Sequence, residues 1–227
     1  MADGHLVTQV ISGTTVPAST ATPIPSARPP KPELPANVEI RMAPPSAAQD
    51  EALVVALQHL VNLVYSETEG DIFFDGYQRI NAAEMRQILE AGELAVVYSS
   101  SQGAEQTPGF QSRPVGCIRI QRRSDTTGEF GMFAIEPTYR GGGMGRKMVE
   151  FAEDHCQSQG LTAMQLELLV PVGFKHGFKT RLLEWYTRMG YRLIKLGDFQ
   201  DDYPQLAPLL RGPTEYRVFE KSLVVSG

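Results

Sequence analysis

Arg140, Gly141, Gly142, Gly143, Met144 and Gly145 form the stretch of this chain best suited to chemistry. An apolar segment, residues 128–135, precedes the run, and an amphipathic segment follows it. Glycine lets the backbone adopt positive φ and come close to a ligand. The first N–H groups of a helix have no intrahelical partner, and the positive end of the helix dipole lies beside them. A strand, a glycine turn and a helix in that order therefore make an anion cradle, suited to a pyrophosphate. The run is not a P-loop, because Lys147 is followed by Met148. Nor is it a dinucleotide fingerprint, whose third glycine would fall on Arg146 or Met148. It does fit R-x-x-G-x-G, through Arg140, Gly143 and Gly145.

A second segment, residues 182–191, reads as a helix carrying Trp185 and Tyr186, stopped at Gly190 and followed by a strand from Tyr191. With this second motif, Y-x-x-x-G-Y, the chain resembles the GNAT superfamily of N-acetyltransferases. The resemblance covers residues 38–223 and is sharpest over residues 129–191. It implies an α/β fold: a mixed, mostly antiparallel central sheet with helices on both faces. It implies acetyl-CoA as co-substrate, no metal, and direct transfer of the acetyl group to an amine. By the same resemblance, Met132, Phe133, Ala134 and Ile135 pair with the pantetheine arm as if it were a strand. Gly141, Gly142, Gly143, Met144, Gly145 and Arg146 hold the pyrophosphate through their backbone, with Arg140 and Arg146 as cationic neighbours. Tyr186 takes the position of the family's general acid for the departing thiolate. A thiol and a phenol have ordinary pKa values near 8.5 and 10, so that transfer is close to thermoneutral.

The base stays open among several groups. Glu129 opens the strand 129–135 at a position where some family members carry a catalytic glutamate. Glu167 lies inside the apolar strand 164–170, and His176 lies in the loop 171–178, where it is expected at the surface. Ordered water without a dedicated base is the fourth reading. The chain departs from the family pattern at Lys179, where an Asn is common. Lys179 is expected as a surface lysine of a first helical turn.

Acceptor recognition is expected from two acidic segments. One spans residues 66–80, with Glu67, Glu69, Asp71, Phe73, Phe74, Asp75, Tyr77 and Arg79. The other spans residues 197–210, with Asp198, Asp201, Asp202 and Tyr203. Their charge would steer a cationic amine, and Arg79 or Arg181 would suit a carboxylate on an amino acid. The aromatics of the first segment are expected to pack under the loop. A small-molecule amine or amino acid is the first expectation, a protein lysine or N-terminus the second, and a non-catalytic acyl-CoA-binding module the third.

The elements that must position these groups are legible along the chain. Strands are expected over residues 38–43, 94–98, 115–121, 129–135, 164–170, 191–196 and 215–224. Ser46 with Gln49, and Asn81 with Glu84, have capping-box spacing ahead of two helical stripes. Met144, Met148, Ala152 and Cys156 mark one face of the third helix, and residues 179–189 form the fourth. Residues 99–113 read as a long exposed hairpin loop.

At 227 residues and 42% apolar content the chain can bury one sizeable core. A net charge of −5 argues against nucleic acid as an obligate partner. No apolar run approaches a membrane span, and a signal peptide is not indicated. Two cysteines without metal or disulfide spacing fit reduced core thiols and a cytoplasmic protein. Residues 1–37, rich in Pro, Ser and Thr, read as a low-complexity, disordered arm, with residues 6–11 able to add an edge strand. Residues 38–227 read as the catalytic domain, and a homodimer is compatible with the reading.

Overall fold

The computed structural model describes residues 38–99 and 113–224. The expectations for the arm, for residues 6–11 and for the interior of the 99–113 loop lie outside the described residues.

Seven strands form one sheet in the order β1-β2-β3-β4-β5-β7-β6. They are β1 (Val38–Met42), β2 (Leu94–Ser99), β3 (Arg113–Arg122), β4 (Thr127–Ile135), β5 (Ala163–Pro171), β6 (Arg192–Gly197) and β7 (Thr214–Ser222). β4 and β5 run parallel, and every other neighbouring pair runs antiparallel. The helices are α1 (Glu51–Glu69), α2 (Ala82–Glu90), α3 (Met144–Ser158) and α4 (Gly177–Arg188). A single helical turn, Phe199–Asp202, was not foreseen.

The strands carry side chains to both faces, and each face is covered. Leu94, Val96, Cys117 and Ala134 pack against the apolar stripes of α1 and α2. Ala95, Val97, Ile118 and Leu166 pack against Met144, Met148, Ala152 and Cys156 of α3 and Tyr186 of α4. The expected stripe of α3 is therefore its buried face. α3 lies so close to the start of β4 that a Cβ on Gly128 would stand 2.5 Å from the Cys156 sulfur.

The helix starts show what local sequence decides. Asn81 and Glu84 close a reciprocal capping box at the head of α2, with bonds of 3.0 and 2.8 Å. Ser46 and Gln49 do not cap α1. The prolines at 44 and 45 set a 3-10 turn over Pro45–Gln49, and Asp50 caps the helix by accepting from the Leu53 N–H at 3.1 Å. Asn62 on α1 bonds both backbone groups of Ile80, at 2.8 and 3.1 Å, fixing the end of the α1–α2 connection to the helix.

Candidate active site

The site begins with a fault in the sheet. β4 and β5 pair from Thr127↔Ala163 to Phe130↔Leu166, and there the pairing ends. On the other edge of β4 the register with β3 shifts between Cys117 and Arg119, which leaves one extra residue in β4. The bulge falls at Met132, whose φ of +42° is the one positive non-glycine value among the described residues. Such a conformation costs about 1 kcal/mol. Burial of Met132 against the α1–α2 side holds it in place. The bulge also turns the strand over: Phe130 packs toward α3 and α4, whereas Met132 and Ala134 pack toward α1 and α2. Beyond Phe130, the β5-facing edge of β4 has no strand partner among the described residues, so its backbone groups remain to be satisfied.

β4 leads through the turn Pro137–Tyr139 into the glycine run. Gly143 is the N-cap of α3 with φ of +91°, a left-handed conformation that a Cβ would strain. The N–H groups of the first turn of α3, residues 144–146, then lie free of intrahelical bonds. Arg140 fastens this turn: its Nε donates to the Ile135 carbonyl at 2.9 Å, and its guanidinium pairs with Glu67 at 3.2 Å. Among the described residues Arg146 pairs only with the exposed Glu150, at 3.5 Å.

A cavity of about 430 Å³ joins these parts. Met132, Phe133, Ile135, Arg140, Gly141, Gly143, Gly145 and Arg146 line it, as does Tyr186. Of the other expected residues, Ala134 and Met144 turn their side chains into the core, so only their backbone can serve a ligand. Gly142 lies beside the cavity in the same turn. Tyr186 is 5% exposed and packed by Phe130 and Trp185. Its hydroxyl makes no hydrogen bond among the described residues, and burial pushes the phenol well above its ordinary range. It therefore stays protonated and can donate.

The carboxylates sort by position. Glu129 is buried beside Arg123, at 3.4 Å, and does not line the cavity. Glu167 does line it, just past the point where β4 and β5 part, and accepts from the Tyr203 hydroxyl at 3.5 Å. Burial and the neighbouring Glu167 raise the Glu129 carboxyl to about 7. The folded protein thus holds this proton more tightly than the unfolded chain does. The stability it contributes is complete below the unfolded carboxylate range and is lost as pH rises through about 7. Glu129→Gln should remove that loss. From about pH 5 to about pH 8, its urea-unfolding free energy should fall by roughly 1–2 kcal/mol less than that of the wild type. Equal pH slopes would contradict the assignment.

Two expectations are corrected. Lys179 is not a surface lysine: it is 4% exposed, lines the cavity, and its ammonium pairs with Glu69, itself 8% exposed. The His176 imidazole is not at the surface. It is 7% exposed, caps α4 by accepting from the Lys179 N–H at 3.2 Å, and meets Asp71 at 3.0 Å. Both errors have one cause, because α4 begins against the end of α1 and the start of the α1–α2 connection, which are distant in sequence.

The two acceptor segments are joined. Phe73 and Leu210 form an isolated antiparallel bridge, and Arg211 ties to both the Phe73 carbonyl and Asp75. Phe73 stacks on Tyr77 with centroids 3.9 Å apart, and both pack under the loop and line the cavity. Phe74 is exposed. Arg181 is exposed and lies outside this cavity, whereas Arg79 lines it. Tyr65 on α1 and Tyr216 on β7 also line it and were missed. Tyr65 follows Val64 of the buried stripe, so its place on the helix was a readable signal. Nothing local marks Tyr216.

The model of the family described as Acetyltransferase (GNAT) domain matches residues 102–193. N-alpha-acetyltransferase 30 of Saccharomyces cerevisiae is 33% identical over 91 residues, which is 38% of this chain and 48% of that protein. The matched stretch thus spans about half the length of that relative. A crystal structure of the NatC complex bound to Gag peptide and CoA aligns with a TM-score of 0.54 at 18% identity, covering 83% of this chain and 99% of that one. Aminoglycoside 6'-N-acetyltransferase complexed with coenzyme A aligns with a TM-score of 0.55 at 15% identity, over 79% of this chain and 95% of that one. The parted β4–β5 pair and the glycine turn at the head of α3 both fall within residues 102–193, the stretch that matches the acetyltransferase (GNAT) domain.

Proposed function

We propose that the protein transfers an acetyl group from acetyl-CoA to a primary amine. One observation carries the reading: a single cavity touches the glycine turn, the unpaired half of β4 and Tyr186 of α4. Acetyl-CoA supplies an activated thioester. The chain's own groups do the rest. The N–H groups of residues 144–146 take the pyrophosphate. The free edge of residues 131–135 orders the amide-bearing arm as an added strand and offers an N–H to polarise the carbonyl. Tyr186 gives its proton to the departing thiolate.

Glu167 is the better base, because it reaches the cavity and Glu129 does not. Burial raises its carboxyl above the ordinary range, which brings it closer to a working pH. A base must be deprotonated to act, so kcat/KM should rise as pH climbs through this group. Glu167→Gln should lower kcat/KM by about a hundredfold and flatten that acid limb. A variant that keeps the wild-type limb would hand the role to water.

A protein N-terminus is the second reading, supported by the 33% identity to an N-alpha-acetyltransferase. The test is free-thiol release from acetyl-CoA with amines, amino acids and N-terminal peptides, alongside calorimetric CoA binding. Release with any of them supports transfer. CoA binding without release on any acceptor would leave a binding module and overturn the reading.

A further inference from the structure

The cavity is also lined by a cation, Arg79, with no carboxylate paired to it among the described residues. Arg79 lies over the Tyr203 ring at 4.6 Å and the Tyr65 ring at 5.4 Å. These contacts fix its plane, and the Tyr65 and Tyr203 hydroxyls are within its hydrogen-bonding reach; among the described residues it makes no ion pair with a carboxylate. Its backbone is equally fixed, because the next residue, Ile80, is bonded on both sides by Asn62. The carboxylates nearby are already engaged. Glu69 accepts from Lys179 and from the Tyr77 hydroxyl, the latter at 3.3 Å, and Glu167 accepts from Tyr203. A guanidinium that lines a cavity without a carboxylate partner is a ready site for an anion.

We infer that the acceptor is a small amine bearing its own carboxylate, of the amino-acid class, with that carboxylate forked onto Arg79. The inference rests on the transfer reading above and names the substrate for the same site. Size supports a small acceptor. The Phe73↔Leu210 bridge and the Phe74 N–H to Leu209 carbonyl bond join the two segments that line the cavity here. An acceptor lying between them has its amine near the unpaired edge of β4 and Glu167, and its carboxylate toward α1 and Arg79. A peptide N-terminus has an amide where a free amino acid has its carboxylate, so Arg79 separates the two classes. The acidic groups expected to attract an amine are balanced here by a cation that selects the acid.

The full chain would be assayed for thiol release with α-amino acids, their carboxamides, and N-terminal peptides with neutral first residues. In parallel, free amino acids would be titrated into the CoA-loaded protein by calorimetry. Amino acids should exceed their carboxamides in kcat/KM by about tenfold to a hundredfold, mainly through KM. Arg79→Gln should erase that preference, weakening amino-acid use far more than carboxamide use, while leaving CoA binding unchanged. Arg79→Lys keeps the charge without the fork and should recover part of the preference. Carboxamides or peptides used as well as the acids would overturn the inference and leave the transfer reading standing. So would an Arg79→Gln variant that weakens both classes equally. Amino acids that bind the CoA-loaded wild type, but not Arg79→Gln, without turnover would keep the subsite and sink the transfer reading.

Discussion

Tyr186→Phe should lower kcat about a hundredfold and leave CoA affinity unchanged. The ring is packed by Phe130 at 6.0 Å and by Trp185 at 4.9 Å, and a phenylalanine keeps both contacts. The hydroxyl makes no hydrogen bond among the described residues, so its loss leaves no buried partner orphaned. The variant therefore reads the proton and little else. Burial raises the phenol, which makes it a weaker acid than in water. The same dry surroundings disfavour a free thiolate, so donor and acceptor are shifted in the same direction. Pre-steady-state thiol release and equilibrium CoA binding separate the outcomes. A loss in kcat with Kd preserved assigns the donor. Unchanged kcat would mean that the thiolate leaves unprotonated or takes its proton from water.

Lys179→Met should be the most destabilising single change at the site, at about 3 kcal/mol. The ammonium and the Glu69 carboxylate are both buried, one at the start of α4 and the other at the end of α1. Removing the lysine strands a carboxylate that, among the described residues, retains only the Tyr77 hydroxyl as partner. The pair itself is worth far less than its breakage suggests, because ordering and desolvating two charges offsets most of their attraction. Glu69→Gln combined with Lys179→Met should therefore recover at least half of the loss. Urea unfolding of the two single variants and the double variant gives the coupling directly. Single variants within about 1 kcal/mol of wild type would show that water reaches the pair.

The contrast between Asn81 and Lys179 shows what the sequence made legible. Asn81 and Glu84 are three residues apart, and their capping box is a local event that needs no tertiary context. The same holds for the stripe of α3 and the glycine stop after α4. The parting of β4 from β5 was implied only by resemblance, because the bulge at Met132 carries no compositional mark: a methionine in a strand looks ordinary. Lys179 and His176 were misread for a reason of topology. Their partners, Glu69 and Asp71, stand over a hundred residues upstream. Arg79 was visible as a possible carboxylate holder, but its selection over Arg181 depends on Tyr65 and Tyr203, which arrive from two other elements. Between Glu129 and Glu167, strand position alone does not decide, because the cavity opens only after the strands separate.

The close approach of α3 to β4 bears on how this chain can change over generations. Gly128 and Cys156 share one volume, since a methyl group at the first position would overlap the sulfur at the second. A side chain at 128 is thus accessible only after 156 has shrunk. The two positions must drift in order, with the helix position moving first. The contact that holds the end of α3 against the start of β4 therefore also fixes the sequence of steps by which it can be altered.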